Sequence, residues 1–204
     1  DKLLKKEVDT KVLNNVTMTP NGALFSTKKQ GFLPEIMAKM YEDRVKYKQY
    51  MLEAKQNYVN TKDAKYIKQI SKFNNIQMAK KISLNSAYGA IGNNWFRYYS
   101  NTMAEAVTTS GQLSIRWIEK KINDYMNDLL KTKDKDYVLA SDTDSVYITF
   151  DKLIEMLNPK NPIDFLNKIA KEKIEPFIDK SYQELADYLN AYDQKMQMKR
   201  EVIA

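Results

Sequence analysis

From Glu35 to Tyr88 the chain contains no Gly and no Pro, and apolar residues return every three or four positions. Ile36, Met37, Met40, Tyr41, Val45, Tyr47, Met51 and Leu52 make one such series. Asn60-Thr61-Lys62-Asp63 interrupts it, and Ala64 resumes it with Ile67, Ile70, Phe73, Ile76 and Met78. That period is helical, and Pro34 suits a first helical turn. The pattern predicts two long antiparallel helices. Arms of about 26 residues would each be about 39 Å long, so the hairpin should project from a body. Gly92-Asn93-Asn94 is the expected stop.

A third helix is expected from a cap at Asn101 or Thr102 to about Leu130. Its apolar stripe would be Ala106, Leu113, Trp117, Ile118, Ile122, Tyr125, Leu129 and Leu130. After a charged loop at 131–136, Tyr137 to Phe150 reads as two β-branched and aromatic runs around Ser141-Asp142-Thr143-Asp144-Ser145. This is the pattern of a β-hairpin with a polar turn. Lys152 to Leu157 should form a short helix, closed by Asn158-Pro159. A second helical region should run from Pro162 to about Asn190, with a break near Pro176, and Lys195 to Ala204 should form a final strand. At the start, Leu3, Leu4 and Val8 could line one or two amphipathic turns, Thr19-Pro20-Asn21-Gly22 marks a turn, and Ala23-Leu24-Phe25 a short strand.

Composition narrows the chemistry. The 204 residues include no Cys and no His, which removes disulfides, thiolate metal sites, cysteine nucleophiles and every histidine-dependent triad. Carboxylates, Lys, Tyr or a metal must then do any catalysis. No apolar run approaches transmembrane length, so a soluble cytoplasmic protein is expected. The net charge is +7. Residues 1–100 hold 18 Lys+Arg against 8 Asp+Glu, and residues 101–204 hold 15 against 18. A basic half suggests a polyanion as partner, although lysine-rich solvated surfaces give the same total.

Two sets of residues stand out. Asp142 and Asp144 would sit together at a hairpin tip, where two carboxylates repel unless a cation such as Mg²⁺ lies between them. Asp, Thr and Ser are also ordinary turn residues. On the long hairpin, Arg44 and Lys48 are four apart, and Lys81, Asn85 and Tyr88 share one face of the second arm. Three cations beside an amide and a phenol suit phosphate groups. Any one of these lysines alone reads more readily as solvated surface. Gly89 removes bulk beside Tyr88, which allows close approach to the backbone.

Lys81-Ile-Ser-Leu-Asn85-Ser-Ala-Tyr88-Gly89 resembles the Lys-x₃-Asn-Ser-x-Tyr-Gly motif of family B DNA polymerases, and Asp142-Thr-Asp144-Ser145 resembles the Asp-Thr-Asp-Ser motif that follows it. Asn93-x-Trp-Phe-Arg-Tyr-Tyr and Arg200-Glu201-x-Ile203-Ala204 narrow the likeness to polymerases of T-even-like phages. The resemblance implies an α+β fold, a long antiparallel helical hairpin on a partial palm of antiparallel strands and packed helices. It implies a palm-proximal segment at 1–33, fingers at 34–92 and part of the palm at 93–204.

It also implies roles. Arg44, Lys48 and Lys81 would hold the triphosphate of an incoming dNTP, with Lys81 a proton donor to departing pyrophosphate. Asn85, Tyr88 and Gly89 would line the pocket for the new base pair. Asp144, supported by Asp142, would bind two Mg²⁺ ions with an aspartate from outside this chain. The arm would lean over the acidic tip with room for a metal-bound triphosphate. The partners would be primer-template DNA, dNTP, the remaining polymerase segments (exonuclease, amino-terminal domain, thumb) and a sliding clamp through the thumb; the setting would be host cytoplasm, with no membrane.

The chain also departs from the family pattern. The upstream Asp-x-x-Ser-Leu-Tyr-Pro motif is absent from it, and Ala140-Ser141 stands where Tyr-Gly usually precedes the aspartates. The expectation is that the chain alone does not polymerise, being either a truncated chain or one piece of a split enzyme. Two other readings compete: a non-catalytic nucleic-acid- or nucleotide-binding module, and a basic helical scaffold unrelated to polymerases.

Overall fold

The computed structural model describes residues 1–203, and its element order is mixed helix and antiparallel strand, an α+β chain. Two compact units divide it: residues 29–104, and residues 1–28 together with 105–204.

The first unit is built on α1 (Phe32–Thr61) and α2 (Lys65–Ile91), of 30 and 27 residues. They are about 45 and 40 Å long. The turn between them is made by Lys62, in the left-handed region at φ 57°, whose N–H donates to the Tyr58 carbonyl at 2.8 Å. Asp63 Oδ1 then accepts the Lys65 N–H at 2.9 Å and opens α2.

The two helices meet along a seam with 3-4 spacing. Met37, Met40, Arg44, Tyr47, Met51, Ala54 and Tyr58 turn inward on α1, and Tyr66, Ile70, Phe73, Gln77, Lys80, Leu84 and Ala87 on α2. This is the heptad geometry of an antiparallel helix pair. Phe73 packs on Tyr50 and Tyr47, with ring centroids 5.5 and 6.2 Å apart. Lys80 meets Asp43 at 2.6 Å and fixes the register. The expected apolar series was right in period and mixed in face: Tyr41, Val45 and Leu52 are exposed. They lie one residue beyond the seam, in a second stripe with the same period.

Gly92 ends α2 as expected, but at φ −83°, so it needs no left-handed backbone. The third helix, α3 (Asn101–Leu130), is capped one residue earlier than expected. Ser100 Oγ accepts the Met103 N–H at 3.2 Å, the Ser geometry that satisfies an orphan donor at a helix start.

The second unit holds the main hydrophobic core. Leu113, Trp117, Ile118, Ile122, Met126 and Leu130 of α3 pack with Leu3, Tyr137, Val138, Leu153, Ile174, Ile178, Tyr182 and Leu185. Met126 is fully buried and was not anticipated, while Leu129 is exposed. Residues 118, 122, 126 and 130 form one four-residue ladder, and Leu129 falls about 100° off it. Trp117 Nε1–H donates to the Ser181 carbonyl at 2.9 Å, so its one polar atom is satisfied inside the core.

Two small antiparallel sheets belong to this unit. β1 (Val16–Met18) pairs with β2 (Leu24–Ser26) across the turn at Gly22, which takes φ 83°. β1 had no clear sequence signal. β3 (Val138–Asp142) pairs with β4 (Ser145–Ile148), with a bulge between Val138 and Ala140.

α4 (Asp151–Leu157) ends at Asn158 in the left-handed region. α5 (Pro162–Ile169) continues into one π-helical turn, Ala170–Ile174, and then α6 (Glu175–Tyr188). The wider turn ends two residues before the expected break at Pro176, whose ring lacks an N–H and crowds the carbonyl four residues back. The strand expected over Lys195 to Ala204 does not form at 195–203; Ala204 lies outside the described residues. Amides of this segment bond side chains instead of a strand ladder: Arg200 N–H donates to Glu175 Oε1, and Met196 N–H to Gln194.

Candidate nucleotide and metal-binding residues

The phosphate-type candidates all belong to the helical hairpin. Lys81, Asn85, Tyr88 and Gly89 follow one another on one exposed face of α2. A Cβ at Gly89 would meet nothing within 4 Å, so the backbone there is open to approach. In an antiparallel helix pair, the residue one step past each seam position points to the same flank on both helices. Lys48 follows Tyr47, and Lys81, Asn85 and Tyr88 follow Lys80, Leu84 and Ala87. These four side chains therefore share a flank. The Lys80–Asp43 pair sets Lys81 level with Arg44, with Lys48 one turn nearer the tip.

Arg44, expected on one face of the arm with Lys48, takes the more inward place. It sits half-buried in the seam between Met40 and Tyr47, and its Nε is buried without a hydrogen-bond partner. An unpaired buried guanidinium donor is costly, and an anion at the seam would relieve it. Nearby, Asp43 is held below the usual carboxylate range by its hydrogen bond from Lys80.

The acidic candidates sit in the other unit, at the tip of the β3–β4 hairpin, where Asp142 pairs with Ser145. Thr143 takes φ 47°, and the Asp144 N–H donates to the Asp142 carbonyl at 2.5 Å, a γ-type turn. A β-branched residue with positive φ is strained. The turn aims both carboxylates at solvent. They differ in freedom. Asp142 Oδ1 accepts from Thr143 Oγ1 at 3.0 Å, whereas no side chain among the described residues bonds the Asp144 carboxylate.

Hard oxygen donors of this kind fit Mg²⁺, which commonly takes one or two carboxylates and fills its octahedron with waters and phosphate oxygens. Two carboxylates match that chemistry; among the described residues no cluster of three acidic side chains could hold a metal alone.

Sequence reasoning missed what holds the acidic hairpin. Asn123 on α3 accepts the Tyr137 N–H at 2.8 Å and the Val138 N–H at 3.2 Å with Oδ1, and donates from Nδ2 to Asp136 Oδ1 at 2.8 Å. Asn127, one turn on, donates to the Lys135 carbonyl at 2.7 Å and accepts from Thr132 Oγ1 and the Lys135 N–H. Two helix amides thus pin the loop into β3. The only available signal was a pair of Asn residues at i, i+4 on a helix, where Asn is not favoured.

The helical hairpin thus carries a basic, phosphate-type face, and the β3–β4 strand pair is tipped by two carboxylates. The chain belongs to DNA polymerase family B, whose model matches residues 1–181. It is similar to a DNA-directed DNA polymerase of Enterobacteria phage T4, at 37% identity over the whole of this chain and 22% of the relative. It is also similar to the DNA-directed DNA polymerase of Escherichia phage RB69, at 33% identity over 91% of this chain and 26% of the relative. A DNA polymerase delta catalytic subunit of Arabidopsis thaliana is 30% identical over 67% of this chain and 12% of its own length. The chain thus spans about a quarter of the two phage relatives. No helix among the described residues is long and apolar enough to cross a membrane.

Proposed function

We propose that this chain supplies the fingers and part of the palm of a DNA-directed DNA polymerase, with residues 34–92 as fingers and 93–204 as palm. One observation carries the reading: Lys81, Asn85, Tyr88 and Gly89 make a single open face on α2, on the same flank as Lys48. Lys48 and Lys81 hold the phosphates of an incoming dNTP, and the unpaired Nε of Arg44 joins them. Lys81 also gives a proton to the departing pyrophosphate. Asn85 and Tyr88 line the base-pair pocket, where the bare backbone at Gly89 admits the nascent pair.

Asp144, with its free carboxylate, holds Mg²⁺, and Asp142 supports it; a further aspartate from outside this chain completes the site. When bound, two such ions activate a primer 3′-hydroxyl and offset charge on the phosphorus during in-line displacement. Positioning and electrostatics dominate such chemistry, so a chain without His can take part.

The lone chain does not polymerise. A primer-extension assay with Mg²⁺ tests this, and template-directed synthesis by residues 1–204 alone refutes it. Adding the other segments of a family B polymerase should give synthesis, and Asp144→Ala should abolish it. A non-catalytic binding module would bind dNTP yet stay silent in that mixture. Unchanged dNTP affinity after joint replacement of Arg44, Lys48 and Lys81 would refute the assignment of the triphosphate face.

A further inference from the structure

The flank of the helical hairpin carries a second feature that nucleotide binding does not use. Toward the tip, the positions one step past the α1 seam read Val45, Lys48, Leu52, Lys55, Val59, at alternating three- and four-residue spacing. Leu52 and Val59 are 51% and 58% exposed, and Ile67 of α2, on the same flank, is 51% exposed. Apolar residues repeated every seven positions form a seam in search of another helix. Neither Lys48 nor Lys55 forms a salt bridge among the described residues, and no Asp or Glu occupies this flank of either helix.

We propose that this flank docks an amphipathic helix of a partner protein, one whose apolar stripe is bordered by Glu or Asp. Its apolar residues would lie on Leu52, Val59 and Ile67, in the groove between α1 and α2. Its carboxylates would meet Lys55, outside the triphosphate face. Charge complementarity selects this occupant. A second copy of this chain would set Lys against Lys. Single-stranded nucleic acid would use the lysines, but a row of Val, Leu and Ile offers no ring for base stacking. Within this chain, α6 has the right composition, yet its Ile178, Tyr182 and Leu185 are buried in the core of the other unit.

The test uses the whole chain and two labelled synthetic helical peptides of about 21 residues, three heptads long. They share one Leu stripe; Glu borders it in the first and Lys in the second. Fluorescence anisotropy should show the Glu peptide binding roughly ten-fold or more tightly than the Lys peptide, and weakening as salt rises. Leu52→Glu should remove binding, and Lys55→Glu should shift preference toward the Lys peptide. Both positions are exposed and lie outside the triphosphate face, so circular dichroism and dNTP affinity should stay unchanged in these variants. Those two readouts separate failure of this surface from failure of the polymerase reading. The proposal is overturned if neither peptide binds, if binding ignores Leu52→Glu, or if both peptides bind alike. It is also overturned if an oligothymidylate, rather than the Glu peptide, binds in a manner lost with Lys55→Glu.

Discussion

Replacing Asn123 by Ala should loosen the acidic hairpin at its root. Three hydrogen bonds disappear: those from the Tyr137 and Val138 amides, and the one to Asp136. They are not equivalent. The Val138 N–H keeps a second acceptor, Asp136 Oδ1 at 3.0 Å, so its loss is small. Tyr137 is 1% exposed, and no other acceptor takes its N–H. An orphaned buried donor costs about 1–3 kcal/mol, and the bond to an exposed carboxylate adds about 1 kcal/mol. The expected total is about 3 kcal/mol. With a urea m-value of about 1–3 kcal/mol/M, the midpoint should fall by roughly 1–3 M. Asn123→Asp, made together with Asp136→Asn so that no second carboxylate faces it, retains the acceptor oxygen and should cost less than Asn123→Ala. Urea titration followed by circular dichroism measures both. A loss below about 1 kcal/mol for Ala, or an Asp variant as damaged as the Ala variant, would refute the claim that one amide anchors β3.

Other predictions follow from particular contacts. Met126→Ala should cost about 2–5 kcal/mol, because Met126 is fully buried, whereas exposed Leu129→Ala should stay within about 0.5 kcal/mol; thermal melts compare them. Gly89→Ala should raise helix stability by about 0.5–1 kcal/mol, since its Cβ meets nothing, while lowering dNTP affinity; affinity that is unchanged counts against the pocket. Asp144→Ala in the reassembled polymerase should reduce primer extension by about 10²–10³-fold or more, the scale of losing one transition-state stabiliser, with thermal stability unchanged. Glu184 is held below its ordinary value, first by the hydrogen bond from Lys121 at 2.7 Å and then by Lys6. A depressed carboxyl stabilises the fold above its unfolded value of about 4.3 and loses that contribution as pH falls through the folded value. Glu184→Gln should therefore cost up to about 1 kcal/mol near neutral pH, and the difference should vanish in acid melts.

The period of each long helix was legible because three- and four-residue spacing is a property of the sequence itself. The inward face of α1 was less so. Met40-Arg44-Tyr47-Met51 and Tyr41-Val45-Leu52 are both helical stripes, and hydropathy favours the second, yet the first forms the seam. Register against α2 decides it: the Lys80–Asp43 pair and the Phe73 ring contacts require the polar Arg44 to turn inward. The acidic tip could be read because strand runs and turn residues are local signals. Its anchoring by Asn123 and Asn127 could not, since it joins residues across 8 to 15 positions through side-chain amides. The strand expected at 195–203 failed for a related reason, because strand propensity acts only where a neighbour supplies a ladder.

The π-helical turn at Ala170–Ile174 keeps two apolar rows in step. Ile169 and Ile174 both face the core although five positions separate them, and Ile178, Tyr182 and Leu185 continue from there. Five residues of ordinary α-helix would rotate the second row by about 140° and swing it toward water. The widened turn thus works as a phase corrector that lodges one surplus residue. Removing a single residue between Ile169 and Ile174 would let a plain helix carry the same rows, whereas adding one would throw every apolar side chain of α6 out of alignment.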